Sequence, residues 1–85
     1  MIKIWGKIFT DEKIVKHSVV EVEPKECTFF DMLKQLCEKL DIPTPVLLNK
    51  HLSDFNQFSM TLFKPIDFIE SIDFDKLIIE YLPEE

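Results

Sequence analysis

Apolar and polar residues alternate near the start of the chain. Ile2, Ile4 and Ile8 fall on one face with Gly6 in line, while Lys3, Trp5, Lys7 and Phe9 fall on the other, which predicts a strand over 2–9. A glycine on the apolar face marks a bulge or a close neighbour. The polar tetrad Thr10-Asp11-Glu12-Lys13 suits a short hairpin loop, and a second strand is predicted over 14–23. Alternation slips at Val19-Val20, so a bulge is expected there, and Lys16 with His17 suits an edge strand closed by Pro24.

The period then changes. Phe29, Leu33, Leu36, Cys37 and Leu40 recur at helical spacing, with Lys34, Gln35, Glu38 and Lys39 on the opposite side, which predicts one main helix over about 28–41. Thr28 is the expected N-cap, with Asp31 three residues on as in a capping box. Asp41-Ile42-Pro43 ends the helix. Beyond it, Val46-Leu47-Leu48 reads as a short buried strand and 50–57 as one or two helical turns. The segment 58–63 alternates like a strand, and Pro65-Ile66-Asp67-Phe68-Ile69-Glu70 reads as a short helical turn entered through proline. Residues 76–82 are apolar on both faces, the pattern of a central strand.

The order of elements gives an α+β single domain spanning 1–85: hairpin, helix, short strands and turns, and a terminal strand. It resembles the β-grasp, or ubiquitin-like, fold. The strand at the start, Leu40-Asp41-Ile42-Pro43 after the helix and Asp67-Phe68-Ile69 before the last strand carry the likeness. The resemblance implies that the last strand lies beside the first and parallel to it, with the helix across the sheet; a four-stranded α+β sandwich is the alternative. A second likeness, through Lys50-His51, Phe55, Phe58, the run 63–70 and Phe74-Asp75-Lys76-Leu77, is to small bacterial proteins without an assigned activity.

Charge narrows the partners. The chain has 85 residues and a net charge of −6, with no arginine, no alanine and one glycine. Nucleic-acid recognition needs clustered Lys and Arg, so neither nucleic acid nor an anionic membrane surface is expected. The charge is uneven: residues 1–66 balance nine Lys against nine acids, and 67–85 set seven acids against Lys76 alone. No apolar run exceeds three residues, so neither a signal peptide nor a membrane span is expected and the cytoplasm is the expected compartment.

Several chemistries lack their residues. A single glycine excludes Walker A, GxGxxG and G-x-S-x-G loops, and Cys27 and Cys37 form no C-x-x-C pair. Both cysteines read as reduced packing residues, with Cys27 also a possible nucleophile beside a helix start. His17 and His51 are the only histidines. Asp67, Glu70, Asp73 and Asp75 supply carboxylates dense enough for a divalent cation, without EF-hand spacing. No catalytic residue and no cofactor is assigned.

The expected role is therefore a non-enzymatic protein-interaction module, monomeric or homodimeric. Its contact residues are drawn from Lys50, His51, Phe68, Glu70, Asp73 and Asp75, an acidic and aromatic surface. The alternatives are a metal-binding protein or small enzyme using 67–75, and a sulfur-carrier or ubiquitin-type modifier. Those modifiers end in Gly-Gly, whereas this sequence closes on Tyr81-Leu82-Pro83-Glu84-Glu85.

Overall fold

The computed structural model describes residues 2–23 and 28–82. Pro24 and Cys27 lie outside these residues. Strands β1 (Ile2–Thr10) and β2 (Lys13–Val22) form a hairpin. Helices α1 (Phe29–Leu40) and α2 (Asn49–Phe58) follow, then strand β3 (Met60–Phe63), a 3-10 turn (Pro65–Asp67) and strand β4 (Lys76–Leu82). The four strands form one antiparallel sheet in the order β2-β1-β4-β3. The α+β class and the central place of 76–82 beside the first strand agree with the sequence.

The direction of that central pair does not. β4 runs antiparallel to β1, where the ubiquitin-like arrangement implies parallel. Helix α2 accounts for the change, because one further traverse between β2 and β3 brings the chain to β4 from the opposite end. Two local expectations also need correction. Residues 46–48 form no strand; the segment is extended, with Val46 and Leu48 exposed and Leu47 turned toward the core. The bulge falls not at Val19-Val20 but lower in the hairpin. Ile8 faces Lys16 while Phe9 faces Ile14, so Val15 is the extra residue.

The hairpin turn is tight and has no glycine. Asp11 and Glu12 both take left-handed backbone angles (φ 52° and 65°), which match a two-residue turn to the twist of its strands. Asp75 secures it: its Oδ2 accepts the Asp11 N–H at 2.8 Å and its own N–H donates to the Phe9 carbonyl at 2.8 Å.

Both helices lie on one face of the sheet. Ile4, Ile8, Val20, Val22, Phe63, Leu77 and Ile79 from the strands meet Met32, Leu33, Leu36, Cys37 and Leu40 of α1. The register sets Ser18, Gly6, Ile79 and Thr61 in one row across this face. Three of the four are small, so the row is a trough, and α1 sinks into it. A Cβ at Gly6 would lie 3.1 Å from Leu36 Cδ2 and 3.3 Å from Leu40 Cδ1. Close approach, not a bulge, explains the glycine.

Helix α1 starts and ends as its sequence requires. The Asp31 N–H donates to Thr28 Oγ1 at 3.2 Å, and the Thr28 N–H donates to Asp31 Oδ2 at 3.3 Å, a reciprocal capping box. At the other end Asp41 turns left-handed (φ 58°), with Ile42 N–H bonded to the Cys37 carbonyl and Asp41 N–H to that of Glu38. Two lysines then tie the helix to the edge strand. Lys39 Nζ donates to the Val19 carbonyl at 3.0 Å, and Lys16 Nζ to that of Leu40 at 3.1 Å. These bonds partly cover an edge that otherwise offers its backbone to other chains.

A branched side chain at position 6 has no room above the trough. The Gly6→Val substitution is expected to destabilise the fold by ~1–3 kcal/mol through overpacking against Leu36 and Leu40. Urea denaturation followed by circular dichroism measures the loss; an unchanged midpoint would mean that α1 does not approach the sheet this closely.

Candidate functional site

The second half of the chain is organised by two turns that begin in the same way. At the start of α2, the Leu48 N–H donates to His51 Nδ1 at 3.0 Å. At the start of the 3-10 turn, the Lys64 N–H donates to Asp67 Oδ2 at 2.9 Å. In each case the third residue of the turn reaches back to satisfy a backbone donor that has no partner within the helix. These two residues also meet: His51 Nε2 lies 3.5 Å from Asp67 Oδ2. Lys50 Nζ, at the surface, lies 3.8 Å from Asp67 Oδ1.

The hydrogen-bond pattern assigns the histidine tautomer. Nδ1 accepts from Leu48, so it carries no proton, and the neutral ring holds its proton on Nε2, facing the carboxylate. The ring is 1% exposed and stacks on Phe63, with centroids 4.2 Å apart. Burial lowers the His51 pKa below its usual 6.5; the charge on Asp67, with that on Asp54, opposes the shift and Lys50 adds to it. A general base needs a free lone pair within reach of substrate. His51 has neither, so this His–Asp pair is a structural clasp.

Asp67 is buried at 7% exposure while Ile66 before it and Ile69 after it point outward. Ile66 is 87% exposed and Ile69 89%. Phe68 is buried like Asp67, and its ring meets that of Phe74 edge-on at 5.5 Å. The Phe68–Phe74 contact closes the neck of a loop over 69–73, and Asp67 anchors the turn before it. The Val46 N–H donates to the Asp67 carbonyl at 2.8 Å, which lays the exposed Val46 and Leu48 alongside. Glu70 and Asp73 stand exposed around the loop.

The sequence-derived contact residues divide accordingly. Lys50, Glu70, Asp73 and Asp75 are at the surface, and Asp75 is committed to the hairpin turn. His51 and Phe68 are buried and do not belong to a contact surface; Phe74 is buried as well. Among the described residues the two isoleucines are the most exposed large apolar groups, ahead of Phe58 at the end of α2, and the charge pattern of the sequence does not single them out. Their signal was weak, since Ile66, Phe68 and Ile69 offer three apolar residues to a turn with room for one inside.

The four acids do not share a site. Asp67 turns inward to His51 and Asp75 turns to Asp11. Among the described residues, no three His, Cys, Asp or Glu side chains converge as metal ligands would. Cys37 is equally withdrawn: burial pushes its thiol up to about 11, with a Thr44 hydrogen bond opposing. A thiol held protonated is a poor nucleophile. Cys27 lies outside the described residues.

The face of the sheet opposite the helices is covered by its own side chains. Lys7 Nζ sits 4.3 Å above the Trp5 ring and 3.4 Å from Glu80 Oε2, and Trp5 Nε1–H donates to His17 Nδ1 at 3.3 Å. Among the described residues no helix is long and apolar enough to cross a membrane.

No protein-family model, curated protein or solved structure matches this chain. No enzyme family is therefore matched either, and the functional reading rests on the geometry.

The clasp makes stability depend on pH. Unfolded, His51 takes up its proton near 6.5; folded, it does so only at lower pH. Between those values the unfolded chain binds more protons, so stability is present above about 6.5 and is lost as pH falls through the folded pKa. His51→Gln keeps an acceptor for Leu48 but does not titrate. The urea midpoint of the native protein is expected to fall more steeply below this pH than that of His51→Gln; equal slopes would remove His51 from the account.

Proposed function

We propose that this protein is a non-enzymatic protein-binding module that docks through the loop at 65–73. Ile66 and Ile69 are its anchors, Val46 and Leu48 extend the apolar area, and Glu70 and Asp73 form an acidic rim. The observation that carries this reading is the exposure of Ile66 and Ile69 on a backbone fixed from below. Asp67 is held by Lys64 N–H and Phe68 by Phe74, so the two isoleucines are displayed with little conformational freedom left to lose. Interfaces with this layout concentrate their binding energy in a few anchored apolar groups inside a polar rim.

The charge selects the partner's character. An apolar pocket bordered by Lys or Arg complements this loop. A second copy does not, because it would bring Glu70 and Asp73 against their own kind. A binding role rather than a catalytic one is supported by the burial of His51, whose Nδ1 lone pair is taken by the Leu48 N–H, and by the raised thiol of Cys37. The helix crossing a sheet in which β4 neighbours β1 supports a distant β-grasp kinship; the antiparallel direction of that pair weighs against it.

Replacing both isoleucines tests the reading. Exposed substitutions of this kind usually change stability by less than about 0.5 kcal/mol, so Ile66→Ser/Ile69→Ser is expected to fold as the native chain does. Loss of two anchors is expected to weaken partner binding by at least about thirtyfold. Affinity capture from the native host, compared between the native chain and this variant with Ile14→Ser as a distant control, reads the effect. The same proteins captured equally by the double variant would refute docking through this loop.

A further inference from the structure

A groove of about 420 Å³ opens beside the docking loop, at the end of the sheet where the hairpin bulge, the end of α1 and the base of the loop come together. Its lining is divided by chemistry. Ile8, Ile42 and Phe74 give it an apolar floor, and Asp41 and Asp73 contribute carboxylates from two separate segments. Neither carboxylate has a hydrogen-bond or ion-pair partner among the described residues. Lys16, the single cation of the lining, is engaged by the Leu40 carbonyl at the terminus of α1. That terminus also points partial negative charge this way. The volume is that of a site for a side chain or small ligand.

We infer that this groove binds an arginine side chain of the docking partner. The inference rests on the loop reading above, since Asp73 and Phe74 belong both to the groove and to the base of the loop. A guanidinium fits the chemistry on three counts. It is planar and weakly hydrated, so its face lies against an apolar floor at little cost in lost water. It has five N–H donors in a fork, enough to bond carboxylates from two elements that line the same groove. Its charge meets a lining in which two carboxylates outnumber the one ammonium of Lys16, a balance that favours a cation over phosphate and carboxylate ligands. The partner's bound segment therefore places an arginine in the groove and apolar residues against Ile66 and Ile69.

Arginine itself is the probe. The full chain, labelled with ¹⁵N, is titrated with N-acetyl-arginine amide and, separately, with the isosteric and uncharged N-acetyl-citrulline amide. Saturable amide shifts are expected at Asp41, Ile42, Asp73 and Phe74 with arginine, and a response at least about fivefold weaker with citrulline. Asp41→Asn suits its left-handed position, and Asp73 is exposed, so the double variant Asp41→Asn/Asp73→Asn keeps the native spectrum elsewhere. Its arginine affinity is expected to drop about fivefold. Equal responses to the two probes, shifts confined to residues outside the groove, or undiminished arginine binding by the double variant would each overturn the inference. The loop reading has its own test in the two isoleucines. Partner capture lost in Ile66→Ser/Ile69→Ser with no arginine response would leave the loop standing and the groove refuted.

Discussion

The contact between His51 and Asp67 holds the second half of this molecule in shape. Each residue completes the start of a different turn, and each is buried in doing so. A buried carboxylate and a buried imidazole are costly unless their polar atoms are occupied. Here two backbone N–H groups occupy His51 Nδ1 and Asp67 Oδ2, and His51 Nε2 faces the carboxylate at 3.5 Å without a closer partner. One arrangement thus fixes helix α2, the 3-10 turn and the distance between them. The exposure of Ile66 and Ile69 is the other side of the same constraint, because a turn that commits Asp67 and Phe68 to the interior has only outward positions for their neighbours.

The first half answers to a different constraint, the depth to which α1 settles on the sheet. Ser18, Gly6 and Thr61 leave a trough across the row they share with Ile79, and Leu36 fills it. The closeness of helix to strand in turn lets Lys16 and Lys39 reach backbone carbonyls across the gap. The two halves meet in the β1–β4 pairing and where Phe29 of α1 packs on Phe55 of α2, rings 4.9 Å apart, and Phe68 and Phe74 at the base of the 69–73 loop belong to the same core.

The sequence was most legible where one signal dominated. Period-two alternation with a core glycine located β1, the Thr28–Asp31 spacing located the start of α1, and the doubly apolar run located β4 as central. The direction of β4 was not legible, because strand direction depends on the number of chain traverses, and α2 has a weakly apolar sequence that reads as a turn or two. The bulge lies at Val15 and not at Val19-Val20, because Val19-Val20 breaks the alternation visibly whereas Val15 is an insertion recognisable only from pairing. At the candidate site, His51 and Phe68 read as surface residues because their neighbours are charged. Their burial depends on partners distant in sequence, Phe63 with Asp67 for one and Phe74 for the other. The exposed acids Glu70 and Asp73 are legible from charge alone, and the exposure of Ile66 and Ile69 is not.

The two central strands of the sheet are the first and last elements of the described chain, and the Lys7–Glu80 pair joins residues 73 positions apart. The loop that must close before β1 gains its second neighbour is therefore nearly the whole domain, and entropy opposes its closure until the other elements have shortened the effective distance. During synthesis the edge of β1 that takes β4 stays unpaired until β4 has left the ribosome, although α1, made earlier, already has the hairpin face to pack on. The sheet cannot be built in the order in which it is translated, and that interval is when this small protein is most open to misassembly.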